Sequence, residues 1–370
     1  MSDYLVSIVL RSPSRRGFTL LEILVSMVVL IGIVAIIFGM VQQTSNLWTS
    51  TSSKIESFSN ARAAFDAMTR TISQATLKTY YDYMDGPIGT GTWVSTESVN
   101  GSLGTPPYTY TRRSDLHFIC GQASTVLGNT FVNQTSAIET PITHCIFFQS
   151  PLGRSTLYPT QQQLLNACGF YVAYGPDPNV PSFLPSMFAS RYRYRLMEFV
   201  QPSESLSVYT GTGATTTSWF TTPIVTNYDS NSNLVMAENI IALVIWPKLS
   251  VGDEAAAAQT GGTTSLTSNY GYDTRATGDG GESYNQLPPV VEVTMVAMDE
   301  ASALKLGNTT APPNTTLGLT PSLFTVSSDT PTNQLQADLT QMEAQLTASH
   351  INFRVFQTEV AISGAKWTHN

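Results

Sequence analysis

The sequence predicts an α+β protein in which one long N-terminal helix packs on an antiparallel β-sheet. Residues 18–41 form an apolar run whose one charged residue is Glu22. Residues 55–72 carry apolar side chains at helical spacing. From about residue 90 the pattern changes to short β-type segments separated by Gly, Pro, Ser and Thr. These three observations favour a helical N-terminus followed by a β-rich region with large loop insertions.

The apolar run is long enough to cross a bilayer. Residues 18–41 supply ~24 positions, and a membrane-spanning helix needs roughly 20. Three arginines precede the run, and the first cation after it is Lys54. The positive-inside rule then predicts that residues 1–17 lie in the cytoplasm and that the chain beyond about residue 42 lies outside it.

A motif stands directly in front of this run. It consists of a basic pair and a glycine, Arg15, Arg16 and Gly17, followed by Phe18. Glu22 lies five residues after the glycine, and a carboxylate in an apolar span is costly enough to indicate a functional site. A secretory signal peptide would have an apolar core of about 7–15 residues and then a small-residue cleavage site. A plain signal anchor explains the length and the orientation but not the motif.

The motif resembles the processing site of type IV prepilins and of the pseudopilins of type II secretion. The resemblance implies that a prepilin peptidase cuts between Gly17 and Phe18 and methylates the new N-terminus at Phe18. Glu22 would then be the family's fifth-position glutamate, which faces the terminal amine of a neighbouring subunit in a filament. The implied partners are the peptidase, other pseudopilins contacted through the N-terminal helix, and inner-membrane lipid.

The helix is predicted to continue beyond the membrane as an amphipathic helix. Its apolar stripe has spacings of three, four and seven residues, which indicate one buried face; the stripe comprises Ile55, Phe58, Phe65, Met68 and Ile72. The predicted organisation is a leader (1–17), a transmembrane helix (18–41), an amphipathic continuation (42–80) and an extracytoplasmic β-rich domain (81–370).

The β-rich region contains seven predicted strands and one further helix, 335–349. The strands are Leu116–Cys120, Cys145–Gln149, Phe170–Ala173, Tyr192–Val200, Ile240–Trp246, Val290–Met298 and Phe353–Ile362. Three segments rich in Gly, Ser, Thr, Asn and Pro are expected to be flexible loops that bury little, near 203–218, 250–286 and 307–332. Asp299 and Glu300 are expected at a strand exit into a short helical turn, rather than in an acid/base site.

Four blocks in the C-terminal half extend the resemblance: 192–198, 237–243, 287–295 and 296–303. They look like blocks of the prepilin-like Verru_Chthon cassette protein C family, and the strand order is similar to that of the J-type minor pseudopilin of type II secretion. The resemblance covers scattered parts of residues 15–80 and 190–367, and it implies a pilin-like fold.

Composition argues against several other functions. The chain has 370 residues, a formal net charge of -8 and 12% charged residues. No basic stripe suited to nucleic acid is present, so we expect no nucleic-acid partner. None of the four histidines belongs to a His-Glu-x-x-His motif, and no Gly-x-Ser-x-Gly or Walker motif occurs. We therefore expect a protein that is not an enzyme.

Two sets of side chains leave alternatives open. Cys120, Cys145 and Cys168 are predicted on the oxidising side of the membrane, either with one disulfide or as small buried residues. Asp229, Asn231 and Asn233 alternate like the oxygen ligands of a Ca²⁺ loop but lack its Gly and its closing Glu. The other interpretation of this segment is a β-turn. A second, looser acidic cluster comprises Asp273, Asp279 and Glu282. We expect no cofactor, with Ca²⁺ as the one candidate.

The sequence thus predicts a minor pseudopilin: a structural component of a pilus-type secretion or surface-display assembly. It would be a single-pass inner-membrane protein with a cytoplasmic N-terminus. The alternative is an adhesin or cargo-binding module anchored by a pilin-type helix, in which Ser/Thr-rich loops contact a ligand. An anchored hydrolase is the third hypothesis and has the least support from the motifs.

Overall fold

The computed structural model contains two compact units, Met1–Ser52 and Ser53–Asn370. It describes residues 17, 19–84, 86–87, 91, 109–133, 137–176, 191–209, 217–260, 266–276, 283–327 and 333–368. Every structural statement below concerns these residues.

Helix α1 extends from Leu20 to Ser73 and contributes to both units. The helix ends before residue 80, its predicted last residue. The backbone groups at and after its end hydrogen-bond to distant parts of the chain instead of continuing the helical pattern. The Ser73 carbonyl accepts from the Ser363 N–H (3.0 Å), and the Thr76 N–H donates to the Gln149 carbonyl (2.9 Å). Strand β1 begins at Tyr80, the residue predicted to close the amphipathic helix, and extends to Met84.

The second part of α1 packs through one apolar stripe. Its buried residues are Ala61, Ala64, Phe65, Met68 and Ile72. The Phe65 ring lies 5.8 Å from the ring of Phe356, and the Arg354 guanidinium lies 5.4 Å from the Phe58 ring centroid. The predicted stripe is therefore confirmed from Phe58 onward. Its first member is wrong: Ile55 is exposed, because the contacts with the sheet start one turn later.

The remaining elements are mostly antiparallel strands. The strands are β1 (Tyr80–Met84), β2 (Thr109–Arg113), β3 (Ile119–Gln122), β4 (Phe131–Val132), β5 (Ile138–Ser150), β6 (Asn166–Gly175), β7 (Arg193–Gln201), β8 (Asn233–Glu238), β9 (Ile240–Lys248), β10 (Tyr272–Asp273), β11 (Val290–Met298) and β12 (Phe353–Ala361). The helices are α2 (Ala123–Val126), α3 (Ser218–Thr221), α4 (Val251–Thr260), α5 (Glu300–Lys305) and α6 (Gln334–Ala348), with a 3₁₀ turn at Ser203–Ser205 and a π-helical turn at Thr222–Thr226.

The strands form three sheets rather than one. A two-stranded ribbon pairs β1 with β2; a seven-stranded sheet has the order β10-β3-β5-β6-β7-β8, with β4 also on β5; a three-stranded sheet has the order β12-β11-β9. All pairs are antiparallel. The predicted α+β layout with antiparallel sheets is confirmed at this level.

A bulge in β5 joins the two larger sheets. The register of β5 against β6 shifts between Ile142 and Cys145, and Thr143 adopts a left-handed φ of 56°. The bulged residues turn their side chains toward β9: Thr143 Oγ1 accepts the Leu243 N–H (2.9 Å), and His144 Nδ1 accepts the Ile245 N–H (3.1 Å). Two side chains thereby satisfy backbone groups on the edge of β9 that is not paired by any strand in the described part of the chain.

The expectation that the polar segments bury little is wrong for the described parts of two of them, 250–286 and 307–332. Tyr270 and Phe324 are among the largest fully buried side chains, although each lies in such a segment. The Phe324 carbonyl accepts from Gln122 Nε2 (2.7 Å), and its N–H donates to Asp338 Oδ2 (2.8 Å). A few aromatic anchors therefore hold segments whose average composition is polar, since one buried aromatic residue contributes a large apolar area.

Candidate functional site

The predicted processing site leads directly into α1. Gly17 is exposed, and Thr19 is the last residue before the helix. The Glu22 N–H donates to the Thr19 carbonyl (3.1 Å) and to Thr19 Oγ1 (3.3 Å). Arg15, Arg16 and Phe18 lie outside the described residues, so their predicted roles in cleavage and methylation stay predictions.

Thr19 is a residue that the sequence reasoning missed. Thr19-Leu20-Leu21-Glu22 has the Thr-x-x-Glu spacing of a capping box, in which the first side chain caps the backbone of the fourth residue. The Thr19 hydroxyl makes this bond to the Glu22 N–H. The signal was present in the sequence, within the very motif that was assigned to processing, and it explains why the helix begins at Leu20.

Glu22 occupies the first turn of α1 with its side chain exposed. A carboxylate is favourable there because the unpaired N–H groups of a helix N-terminus carry partial positive charge. Within the described part of the chain, Glu22 takes part in no ion pair, and the residues from Ile23 to Val41 contain no charge. The carboxylate is thus an isolated charge at the start of an apolar helix.

The apolar side chains of residues 20–48 are exposed around the whole circumference of the helix. Ile36 is 62% exposed, and comparable values hold along the entire stretch. The Ser26 hydroxyl donates a hydrogen bond to the Glu22 carbonyl (2.7 Å), and the Thr44 hydroxyl donates to the Met40 carbonyl (2.8 Å). Because each hydroxyl is satisfied by the preceding turn of the helix, neither needs a water molecule. The helix is long and apolar enough to cross a membrane.

The candidate calcium residues form a turn. Asp229 accepts the Asn231 N–H at Oδ1 (3.0 Å) and the Ser232 hydroxyl at Oδ2 (2.6 Å). Asn233 donates from Nδ2 to the carbonyls of Pro223 and Asp229, and its Oδ1 accepts from Tyr171. These contacts are those of an Asx turn. Among the residues that the structure describes, no cluster of three or more His, Cys, Asp and Glu side chains has metal-site geometry; calcium binding stays a prediction.

Two histidines are buried in the core with all their ring nitrogens engaged. Trp219 Nε1 donates to His117 Nδ1 (3.1 Å), so the other nitrogen of His117 donates to Asp273 Oδ1 (2.7 Å). Burial lowers the pKa of His117, and the hydrogen bond from its ring helps to lower the pKa of Asp273. Asp273, counted above in a loose acidic cluster, therefore binds a histidine; Asp279 and Glu282 lie outside the described residues.

His144 is held in the same way. Since the Ile245 N–H donates to Nδ1, Nε2 carries the proton and donates to the Phe324 carbonyl (2.8 Å). Burial lowers its pKa to about 4.

Cys120, Cys145 and Cys168 are free thiols, all buried, and burial raises the pKa of each. The side chains of His144 and of these three cysteines are thus buried in the packed interior.

Comparisons with protein-family models, with curated proteins and with solved structures gave no match to this chain.

Proposed function

We propose that this chain is a prepilin-like minor pseudopilin, a structural subunit of a pilus-type secretion or surface-display assembly. One observation carries the proposal. A capped helix begins directly after the Gly17-Phe18 junction, is apolar on all sides, and holds a single carboxylate, Glu22, in its first turn. A structural helix of a water-soluble protein would cover such a surface.

The first step is anchoring in the inner membrane. Transfer of apolar surface from water to lipid is favourable by roughly 25 cal/mol per Å², and a helix satisfies its own backbone groups in hydrocarbon. The internal hydrogen bonds of Ser26 and Thr44 lower the cost of their hydroxyls. The arginines of residues 1–17 keep that end in the cytoplasm, and Ser53–Asn370 lies on the other side.

The second step is processing by a prepilin peptidase. Water hydrolyses the peptide bond between Gly17 and Phe18, which leaves a carboxylate on the released leader and a free amine on Phe18. N-methylation of that amine preserves its positive charge. The exposed Gly17 suits this step, because a residue without a side chain presents its backbone freely to a protease.

The third step is assembly with other pseudopilins. The Glu22 carboxylate of one subunit pairs with the cationic amine of Phe18 of a neighbour. Each charge alone in lipid costs several kcal/mol, so pairing favours the bundled state over the separate helices. The large folded unit Ser53–Asn370 would crowd a helical array of identical copies, which favours a minor subunit over the main one.

Two measurements test the proposal in the native membrane. Intact-mass and N-terminal analysis should give a mature chain that begins at Phe18, with or without one methyl group. A chain that retains residues 1–17 beside an active prepilin peptidase would contradict processing and favour the anchored adhesin.

Substitution tests the role of the carboxylate. Glu22→Ala should abolish incorporation into filaments while the protein stays in the membrane, whereas Glu22→Asp should retain part of it. Glu56→Ala is the matched control, because Glu56 is an exposed glutamate of the same helix beyond the apolar stretch. Wild-type incorporation of Glu22→Ala would refute pairing with the amine.

A further inference from the structure

A groove lies between helix α1 and strand β8, at a place where both belong to the unit Ser53–Asn370. Its helical wall carries short side chains such as Ser57 and Ala64, and its other wall is β8 from Val235 onward. Its volume is ≈ 570 Å³, which lies within the roughly 300–1,000 Å³ of ligand-binding clefts. The short side chains of α1 thus leave room for an occupant beside the strand.

Strand β8 is an edge strand. It ends the strand order of the seven-stranded sheet, and within the described chain it pairs with β7 alone. The backbone N–H and C=O groups along an edge of this kind can pair with a further strand. The register of β8 against β7 shifts at Met236, which leaves one extra residue on β8. Such a bulge hinders long, regular edge-to-edge pairing, so the edge suits a short segment better than another sheet.

The charged side chains that line the groove are all acidic. Glu56 from α1, Glu238 from β8 and Glu300 from α5 contribute to it, and no Lys, Arg or His lines it among the described residues. Arginines of the segment 191–195 approach Glu300 and Glu238, but none of them belongs to the lining. Glu56 takes part in no ion pair within the described chain. The surface that an occupant meets is therefore complementary to a cation.

Asn239, the residue between β8 and β9, also lines the groove. It is 5% exposed, and its Nδ2 donates to Glu300 Oε2 (2.8 Å). Its Oδ1 accepts no hydrogen bond from any described residue. A buried acceptor without a donor is costly, and an N–H group of an occupant would remove that cost.

We propose that this groove binds an extended peptide segment of another protein. The segment pairs with β8 as an added strand and places a Lys or Arg side chain against Glu56 and Glu238. In this mode of recognition backbone hydrogen bonds supply affinity, and side chains along the added strand supply specificity. Pairing with β8 of a second copy is disfavoured, because it would bring the same carboxylates together. The inference goes beyond filament assembly, in which it assigns this groove no part.

Selection from a phage-displayed library of random heptapeptides tests this, with the full chain in neutral detergent as the bait. Enriched heptapeptides should carry at least one Lys or Arg, and synthetic copies should bind the wild type in calorimetric titrations. Ser57→Arg places a cation inside the groove and should weaken their binding at least about tenfold. Ala67→Arg, at an exposed position of the same helix outside the groove, is the matched control and should leave the affinity unchanged.

The pairing with β8 is tested by N-methylating the backbone of an enriched heptapeptide one residue at a time. Methylation should abolish binding at alternate residues, since every second N–H of an added strand points toward β8. This scan leaves the protein unchanged, so its result does not depend on how well the variants fold.

Three results would overturn the proposal. One is a failure to enrich heptapeptides over those that bind empty micelles, or enrichment of heptapeptides without Lys or Arg. Another is equal affinity of the enriched heptapeptides for the wild type and for Ser57→Arg. The third is binding that tolerates N-methylation at every position.

Discussion

Residues 20–48 and residues 53–73 belong to one helix and have opposite surroundings. In the first stretch apolar side chains point in every direction and stay exposed, as Ile36 does at 62%. In the second they occupy a single stripe, and Met68 at its centre is 0% exposed. The difference teaches that apolar content alone does not decide burial. A helix with one apolar stripe can bury that stripe against a sheet and leave its other faces in water. A helix that is apolar on all sides is suited to a lipid environment.

The largest effect should come from the buried stretch. Phe65→Ala removes a ring that packs on Phe356 and should destabilise the unit Ser53–Asn370 by about 3–5 kcal/mol. Ile36→Ala, in the exposed stretch, should leave the unfolding midpoint unchanged. Urea unfolding of the full chain in detergent, followed by tryptophan fluorescence, measures both, because Trp219 and Trp246 are buried in the larger unit. Equal shifts of the unfolding midpoint by the two substitutions would contradict the difference between the exposed and the buried stretch.

The second largest effect should come from acid, which should destabilise the larger unit but leave the exposed stretch of the helix unaffected. The stretch from Ile23 to Trp48 holds no titratable side chain, whereas His144 is buried in the larger unit. Its folded pKa of about 4 lies below the ordinary 6.5, so the unfolded chain binds the proton more readily. Stability is therefore full above pH 6.5 and falls as the pH drops toward 4, by on the order of 3 kcal/mol.

Urea midpoints of the wild type between pH 7 and pH 4 test this dependence. His144→Gln should flatten the slope, because an amide does not titrate, although its own stability at pH 7 should be lower. An unchanged slope would assign the acid sensitivity in this pH range to other groups, foremost to His117, whose pKa burial also lowers from 6.5.

A charge placed in the exposed stretch should act on the membrane rather than on the fold. Ile33→Lys should disfavour insertion by about 2.5–3.5 kcal/mol, the cost of a lysine at the centre of a membrane helix. Asn60→Lys, on the exposed face of the second stretch, should be tolerated. Carbonate extraction of membranes measures retention. Wild-type retention of Ile33→Lys would mean that this stretch does not cross the bilayer.

The smallest effect concerns the solvent-exposed face of the second stretch. Arg62 Nε lies 3.0 Å from Asp66 Oδ1, and both side chains are more than half exposed. Such a pair at i,i+4 contributes about 0.3–0.5 kcal/mol, so Arg62→Ala should shift the urea midpoint barely beyond error. A loss similar to that of Phe65→Ala would show that this face is covered by something.

The sequence predicted seven of the twelve described strands and the two longest helices, α1 and α6, because their signals are local. Each predicted strand overlaps an observed one, with Val290–Met298 matched at both ends, and the predicted helix 335–349 is α6 shifted by one residue. Asp299 caps α5 through the Ser302 N–H (2.8 Å), as the strand-exit interpretation expected. At the candidate site, the Thr-x-x-Glu spacing that ends at Glu22 could also have identified Thr19 as the capping residue.

By itself, the sequence determined the helical N-terminus, the exposed carboxylate at its start, and the antiparallel α+β character, since periodicity and capping depend on neighbours along the chain. The tertiary structure decided where α1 stops and which polar segments carry core aromatics. It also decided how the side chains of the β5 bulge hydrogen-bond to the backbone of β9. These features depend on contacts between residues that are far apart in the sequence, and such contacts leave no periodic trace.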